Sequence, residues 1–423
     1  MSKNTSNIST EAYKGVRDFY PEEMAQQKYI FDTWRRVVER FGYSEYNASI
    51  LEPAELYKAK SGDEIINEQT YTFTDRGERE VTLRPEMTPT VARMVAAKKR
   101  ELGFPLRWYS IPNLFRYERP QKGRMREHWQ LNVDCFGLTG IEADIEGIVV
   151  ANEIMKEFGA KESDFEIRIS SRKLLNAIFS NWYELDDAKA KALQKLIDKK
   201  AKMSSEIFSG EAEKIVGEPF KFLNLDSSNE DLVEALAIPE IRDAKEELDK
   251  VIAELKAKGI SNVIYDETLI RGFDYYTGIV FEVFDTNPEN NRSMFGGGRY
   301  DDLLSLFGGE TVPAFGFGMG DVTMNDFLES RGLVSVYRST ASVMICIMDE
   351  KATKYADEVA HELRSKGTNV AVNYSYRQVG DQIKSAIKQS IPYAIVVGEN
   401  EAKDKSYEIK DLSTGDVVPE IIN

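Results

Sequence analysis

The chain has 423 residues, 42% hydrophobic and 30% charged, with 20 Tyr and 21 Phe; that is enough apolar surface for several packed domains and excludes a wholly disordered chain. Its two cysteines, Cys135 and Cys346, and two histidines, His128 and His361, exclude a disulfide framework and a metal centre built from those residues, so no protein-held metal is expected. The formal net charge of −16 argues against a broad nucleic-acid-binding surface, yet residues 98–126 hold nine Lys and Arg against only Glu101 and Glu118, a basic island in an acidic chain.

The start, MSKNTSNIST, lacks the apolar stretch of a secretory signal, and no apolar run approaches the ~18 residues of a membrane helix. A cytoplasmic protein without a membrane partner is expected. Residues 21–41 place Tyr29, Ile30, Trp34, Val37, Val38 and Phe41 at helical spacing, with Pro21 at the start and Gly42 at the stop. Alternating YTFTD and EVTLR around DRGE predict short strands at 71–75 and 80–84. A helix over 88–101 follows. Two strands are then expected between 106 and 138, LRWYSIPNLFRYE and HWQLNVDCFG, joined by the cationic loop RPQKGRMRE. A helix over 140–160 and the strand DFEIRIS come next. From 184 to 258 the composition shifts to strong helix formers, which reads as a helical insertion. Strand patterns return in NVIYD and RGFDYYTGIVFEVFD, then a glycine-rich turn at FGGGRYDDL, then PAFGFGMGD before a helix. Beyond Gly332, alternating strands and helices (SVMICIM, 353–366, NVAVNY, 378–389, YAIVVG) and a hairpin predict a small α/β domain with a largely parallel sheet.

Four clusters carry candidate chemistry. In residues 114–134, Arg116 and Glu118 share one face of a strand, and Gln130, Asn132 and Asp134 share a face of the returning one. Burying such polar groups is costly unless they are paired or meet a ligand. The cluster therefore reads either as a polar floor for a charged substrate, with loop arginines turned to phosphate, or as a solvated hairpin with scattered ion pairs. In TLRPEMTPT, Arg84, Glu86 and Thr88 alternate and could converge on an ammonium group; a helix start capped by Thr88 or Thr90 is the other reading. In RGFDYYTG, Arg271 could stabilise charge developing on phosphate, or simply pair with Asp274 at a strand end. Glycines 296–298, 316, 318 and 320 permit close approach of a ligand or of another strand, and match neither a dinucleotide fingerprint nor a P-loop.

Together KGVRDFYP, TLRPE, FRYERPQKGR, RGFDYYTG, GGGRYDDL and the C-terminal unit resemble class II aminoacyl-tRNA synthetases, and within them the histidyl-tRNA synthetase family, over nearly the whole chain. FRYERPQKGR and RGFDYY are the most specific parts. The resemblance implies the class II synthetase fold: an α+β catalytic domain with a mostly antiparallel sheet and flanking helices in two parts (1–183 and 259–331), a helical insertion (184–258), and a C-terminal α/β anticodon-binding domain (338–423). It implies a histidine–tRNA ligase that uses ATP with bound Mg²⁺ to activate L-histidine as the adenylate, then transfers it to the 3′ end of tRNA(His). Residue by residue, Glu86, Thr88 and Gln130 would bind the α-ammonium, with Met87 beside them. Asp134 and Tyr276 would bond the imidazole, and Tyr275 would line the pocket. Arg116 and Arg271 would flank the α-phosphate as the catalytic pair. Glu118 would take the adenine amino group, His128 would stack on the ring, and Arg124 would reach the phosphates. Arg119 and Gln121 would meet the tRNA acceptor end. The family is dimeric, and the helix at 21–41 could contribute to a homodimer contact.

Three departures stand out. Thr323 occupies the place of an arginine that contacts ATP in the family's third motif, so the loop cations Arg124 and Arg126 are expected to compensate. Asp134 stands where the family usually has Glu, and Ser49 where its first motif has proline. The missing arginine keeps open an alternative, a non-catalytic synthetase-like regulatory subunit of ATP phosphoribosyltransferase, although Arg271 and the C-terminal domain count against it. Another class II synthetase, for threonine or proline, is a third reading that RGFDYY opposes.

Overall fold

The computed structural model describes residues 8–58, 69–119, 123–200, 203–220, 230–270, 275–290, 292–308 and 310–422. These divide into two compact units, one of residues 1–19 and 27–334 and the other of 20–26 and 335–423.

The larger unit is built on one sheet. Its strands are β1 (Ser44–Glu45), β5 (Leu106–Ser110), β6 (Asn113–Phe115), β7 (Glu127–Phe136), β8 (Phe165–Ser171), β9 (Val263–Tyr265), β10 (Ile279–Asp285), β11 (Ser293–Arg299) and β12 (Ala314–Gly320). They run in the order β1-β5-β7-β12-β11-β10-β8-β9, with β6 pairing β7 to one side. All internal pairings are antiparallel, and only the edge pairs β1/β5 and β8/β9 are parallel. A small sheet joins β2 (Leu51–Pro53), β3 (Tyr71–Thr74) and β4 (Glu80–Leu83) in the order β2-β4-β3.

The two faces of the large sheet differ, as strand alternation requires. Leu131, Val133 and Cys135 of β7 join Phe315 and Phe317 of β12 in the buried core. The Glu142–Glu157 helix packs there so closely that a Cβ on Gly147 would sit 2.3 Å from the Phe315 ring. Helix Pro21–Arg40 adds Ile30, Trp34, Val37 and Val38 to this core. The helices Asp187–Asp198, Ser205–Val216 and Pro239–Ala257 contribute Leu193, Ile197, Phe208, Ile241, Leu248 and Leu255 to the same core. The opposite face carries Gln130, Asn132 and Asp134, and the site lies there.

Two expectations from sequence need correcting. The stretch 106–118 is two strands and not one: Pro112 has no N–H to continue a ladder, and β6 ends at Phe115. The Glu118 N–H then turns back onto the Arg116 carbonyl at 2.7 Å, so Arg116 and Glu118 follow the strand as a tight turn. The glycine-rich segment expected to be a turn is strand β11, which lies between β10 and β12. A Cβ on Gly298 would come within 2.6 Å of the Ile279 carbonyl oxygen, which is why glycine, read as turn material, here marks tightly packed strands.

The second unit holds β13 (Val343–Ile347), β14 (Val370–Asn373), β15 (Tyr393–Val397), β16 (Ile409–Asp411) and β17 (Val417–Val418) in the order β14-β13-β15-β16-β17. The first three strands are parallel and the hairpin is antiparallel, with helices Thr353–Ser365 and Val379–Lys388 as the crossovers. The α/β alternation expected from sequence is present, and Tyr355, Val359 and Leu363 of the first helix fill its core.

Candidate active site

Cross-strand pairing aligns Asp134 with Gly316 and Gly316 with Gly298; the next row aligns Asn132, Gly318 and Gly296. Side chains thus rise from β7, while β12 and β11 offer bare backbone, leaving a hollow with a polar wall. A Cβ on Gly316 would lie 2.3 Å from Asp134 Oδ1, and one on Gly318 would lie 2.8 Å from the Gln130 amide. Gly316→Ala is therefore expected to destabilise the larger unit by about 1–3 kcal/mol, the scale of overpacking, since its methyl would meet Asp134 Oδ1 at 2.3 Å and the Val133 carbonyl oxygen at 2.7 Å. Denaturation followed by tryptophan emission checks this; a wild-type midpoint means the floor is not that tight.

The hollow is lined by Glu86, Thr88, Gln130, Asn132, Tyr275, Tyr276 and Tyr300, with Arg116 at one side. Glu86 is buried, and its Oε2 accepts from the Tyr275 hydroxyl at 3.3 Å. Thr88 opens the Thr88–Lys98 helix, but the N-cap is Met87 and no side chain caps it. The capped start considered from sequence is absent: Thr88 faces the hollow, and Thr90 shares a hydrogen bond with Tyr57 at 3.0 Å. The Met87 side chain is fully buried and lines neither pocket. Arg84 is also structural, its guanidinium bonding the Asn113 and Ala48 carbonyls at 2.9 and 2.8 Å.

A second pocket of about 280 Å³ adjoins the first and shares Arg116, Gln130 and Gly318 with it. Glu118, Arg124, His128, Met294 and Thr323 also line it. Arg116 donates Nε to the Pro85 carbonyl at 2.9 Å and has no carboxylate partner among the described residues, so its remaining N–H groups face the junction of the pockets. His128 is held neutral, its pKa lowered to about 3 by burial and then by the charges of Arg116 and Arg17. It therefore presents an uncharged aromatic face. Glu118 accepts from Arg124 at 3.3 Å. These donors and the neutral ring suit a nucleotide with its phosphates toward Arg116.

Arg126 does not serve as the phosphate cation expected from sequence. It is buried over the Tyr117 ring at 3.9 Å and bonds the Tyr13 hydroxyl and the Glu118 carbonyl, each at 3.1 Å, fastening the N-terminal segment to the loop. Thr323 gives its hydroxyl to the Met294 carbonyl at 2.8 Å and forms a short wall of the pocket. Arg119 is exposed and lines neither pocket. Arg271 and Gln121 lie outside the described residues.

Sequence reasoning missed Tyr300. Its signal was period two: Gly296, Gly298 and Tyr300 alternate along β11 and just beyond, on the face of the site. Among the described residues, no group of three His, Cys, Asp or Glu is arranged to hold a metal ion.

A family model described as histidyl-tRNA synthetase matches residues 15–321, and one described as anticodon binding domain matches residues 342–419. The histidine–tRNA ligase of Leptospira biflexa serovar Patoc is 41% identical over 418 residues, covering 96% of this chain and 94% of its own. That of Thermoplasma volcanium is 37% identical over 415 residues, covering 97% and 96%. The crystal structure of histidyl-tRNA synthetase from Nostoc sp. PCC 7120 superposes with a TM-score of 0.79 at 26% identity over 97% of each chain. With relatives this similar over nearly all its length, and with a polar hollow adjoining a cationic pocket on an antiparallel sheet, the chain belongs to the histidyl-tRNA synthetase family.

Proposed function

We propose that this chain is a histidine–tRNA ligase, which condenses L-histidine with ATP to histidyl-adenylate and diphosphate and then passes the histidyl group to the 3′ end of tRNA(His). The observation that carries this reading is Arg116, a guanidinium without a carboxylate partner among the described residues, shared by a polar hollow and a larger nucleotide-sized pocket.

The chemistry needs position and charge more than a protein nucleophile. A histidine carboxylate oxygen attacks the α-phosphorus, the bond to the bridging oxygen breaks, and diphosphate leaves. Arg116 draws the two anions together and stabilises the charge gathering on the α-phosphate oxygens; Arg271 takes the opposite side in this reading. Glu86, Thr88 and Gln130 hold the α-ammonium, while Asp134 and Tyr276 take the imidazole. Tyr275 lines the same hollow. His128 offers its neutral face to adenine, Glu118 accepts from the adenine amine, and Arg124 covers the phosphates. Mg²⁺ enters with ATP and neutralises its phosphates. In transfer, a terminal ribose hydroxyl of tRNA attacks the activated carbonyl and AMP departs, with Arg119 and Gln121 at the acceptor end. A homodimer and a cytoplasmic location complete the proposal; no helix among the described residues is long and apolar enough to cross a membrane.

Thr323, in place of an arginine, is the observation that favours the regulatory-subunit alternative. Amino-acid-dependent ATP–diphosphate exchange separates the readings: histidine alone of the twenty amino acids should drive it. Exchange driven by threonine or proline, or by none, contradicts the proposal.

A further inference from the structure

We propose that Tyr300 is a positioning residue of the amino-acid hollow: its hydroxyl holds one oxygen of the buried Asp134 carboxyl and so aims the other at an N–H of the substrate imidazole. The proposal rests on the histidine-activating reading above. Asp134 is 3% exposed, and the Tyr300 hydroxyl donates to its Oδ1. Oδ2 is buried and has no hydrogen-bond partner among the described residues. A buried acceptor left open in this way is costly unless a ligand supplies the donor.

The geometry around the pair is fixed from several sides. Gly316 stands opposite Asp134 on β12, and the carboxyl lies over it in the space a Cβ would fill, 2.3 Å from Oδ1. Trp108 stands opposite on β5. The Tyr300 ring packs edge-on to Phe136 and Tyr275, with centroids 6.1 and 5.8 Å away, and its backbone N–H bonds the Ala314 carbonyl at 2.8 Å. The phenol is therefore placed by the core, independently of any ligand.

No cation among the described residues acts on Asp134. Burial raises its pKa from 3.8 to about 7, and the Tyr300 hydrogen bond draws it back. The titratable groups facing it are Tyr300, Tyr46 from the segment after β1, and Cys135 beside it; burial raises the pKa of each, so all three are neutral. The ionised carboxylate is the form that accepts an imidazole N–H. Histidine thus binds most tightly above the Asp134 pKa, and its KM rises as pH falls through that value. Removing the Tyr300 hydroxyl removes the one group that favours the carboxylate, so this acid limb must move to higher pH. Titration of free histidine is common to both proteins and cancels in the comparison.

The test is ATP–diphosphate exchange against histidine concentration across the neutral pH range, for wild type and Tyr300→Phe, which keeps the ring and its packing. The expected result is a KM for histidine raised about tenfold or more, an unchanged KM for ATP, and an acid limb displaced upward. Wild-type KM and pH profile in Tyr300→Phe overturn the proposal and leave the ligase reading standing. A loss of kcat without a pH displacement means a merely structural role and also overturns it. Wild-type protein that does not use histidine fails the ligase reading itself, and this proposal with it. If Tyr300→Phe does not fold, the comparison moves to Asp134→Asn with and without Tyr300→Phe, where no buried carboxylate is left unpaired. There the tyrosine substitution must add less than about twofold, since coupled residues lose their interaction once one partner is gone; a larger effect overturns the proposal.

Discussion

Arg116→Ala lowers histidine-dependent ATP–diphosphate exchange by about a hundred- to a thousandfold, the loss typical when one preorganised donor to developing charge is removed. Unfolding should stay at the wild-type midpoint, because Arg116 makes a single side-chain hydrogen bond, to the Pro85 carbonyl, and no ion pair among the described residues. Its position explains why the effect falls on catalysis. The guanidinium borders both pockets, so it meets the carboxylate and the α-phosphate together and gains most when charge gathers between them. Arg116→Lys should recover only part of the activity, since an ammonium lacks the planar pair of donors. Wild-type exchange in Arg116→Ala would take Arg116 out of the mechanism.

The second large effect concerns stability. Arg299→Ala should destabilise the larger unit by about 3–5 kcal/mol, the usual result of leaving one partner of a buried ion pair alone. Asp144 is fully buried in the Glu142–Glu157 helix and is held by the Arg299 Nε and Nη2 groups. The same guanidinium bonds the Leu138 and Gly140 carbonyls at 3.2 and 2.6 Å, tying the turn before that helix to the end of β11. The Arg299 carbonyl accepts the Thr277 N–H at 2.8 Å, so the loss also reaches the segment carrying Tyr275 and Tyr276. All four tryptophans lie between residues 34 and 182, so denaturation followed by tryptophan emission reports on this unit alone. The double variant Arg299→Met, Asp144→Leu should be more stable than Arg299→Ala, because it leaves no fully buried charge unpaired; Asp301, which also pairs with Arg299 at 3.3 Å, is partly exposed to water. A single variant as stable as wild type would contradict this account.

Local pattern carried much of this architecture. The helical spacing of Trp34, Val37 and Val38 and the alternation of Gln130, Asn132 and Asp134 are repeated as a buried helix face and a polar sheet face. Their information lies within a few neighbouring residues. What local pattern does not contain is which strands lie side by side. Gly298 reads as turn material until β10 and β12 close on it. Tyr300 is an unremarkable tyrosine until cross-strand pairing brings β11 beside β12 and β12 beside Asp134. Arg126 looked like a free cation because sequence does not show that Tyr13 and Tyr117, 113 and nine residues away, enclose it. Function was legible mainly through whole motifs. From spacing alone, the polar hairpin and the TLRPE segment each admitted a structural explanation, and the burial of Glu86 at a hollow that Thr88, Gln130 and Asn132 also line is what favours the functional one.

The most direct measurement of the central claim is charging of a tRNA(His) transcript with labelled histidine and ATP by the full chain. Histidyl-tRNA should accumulate with histidine and ATP together, stop when either is withheld, and fail with transcripts for threonine or proline. A chain that binds ATP and histidine but leaves tRNA(His) uncharged, or that charges another tRNA in its place, contradicts the account.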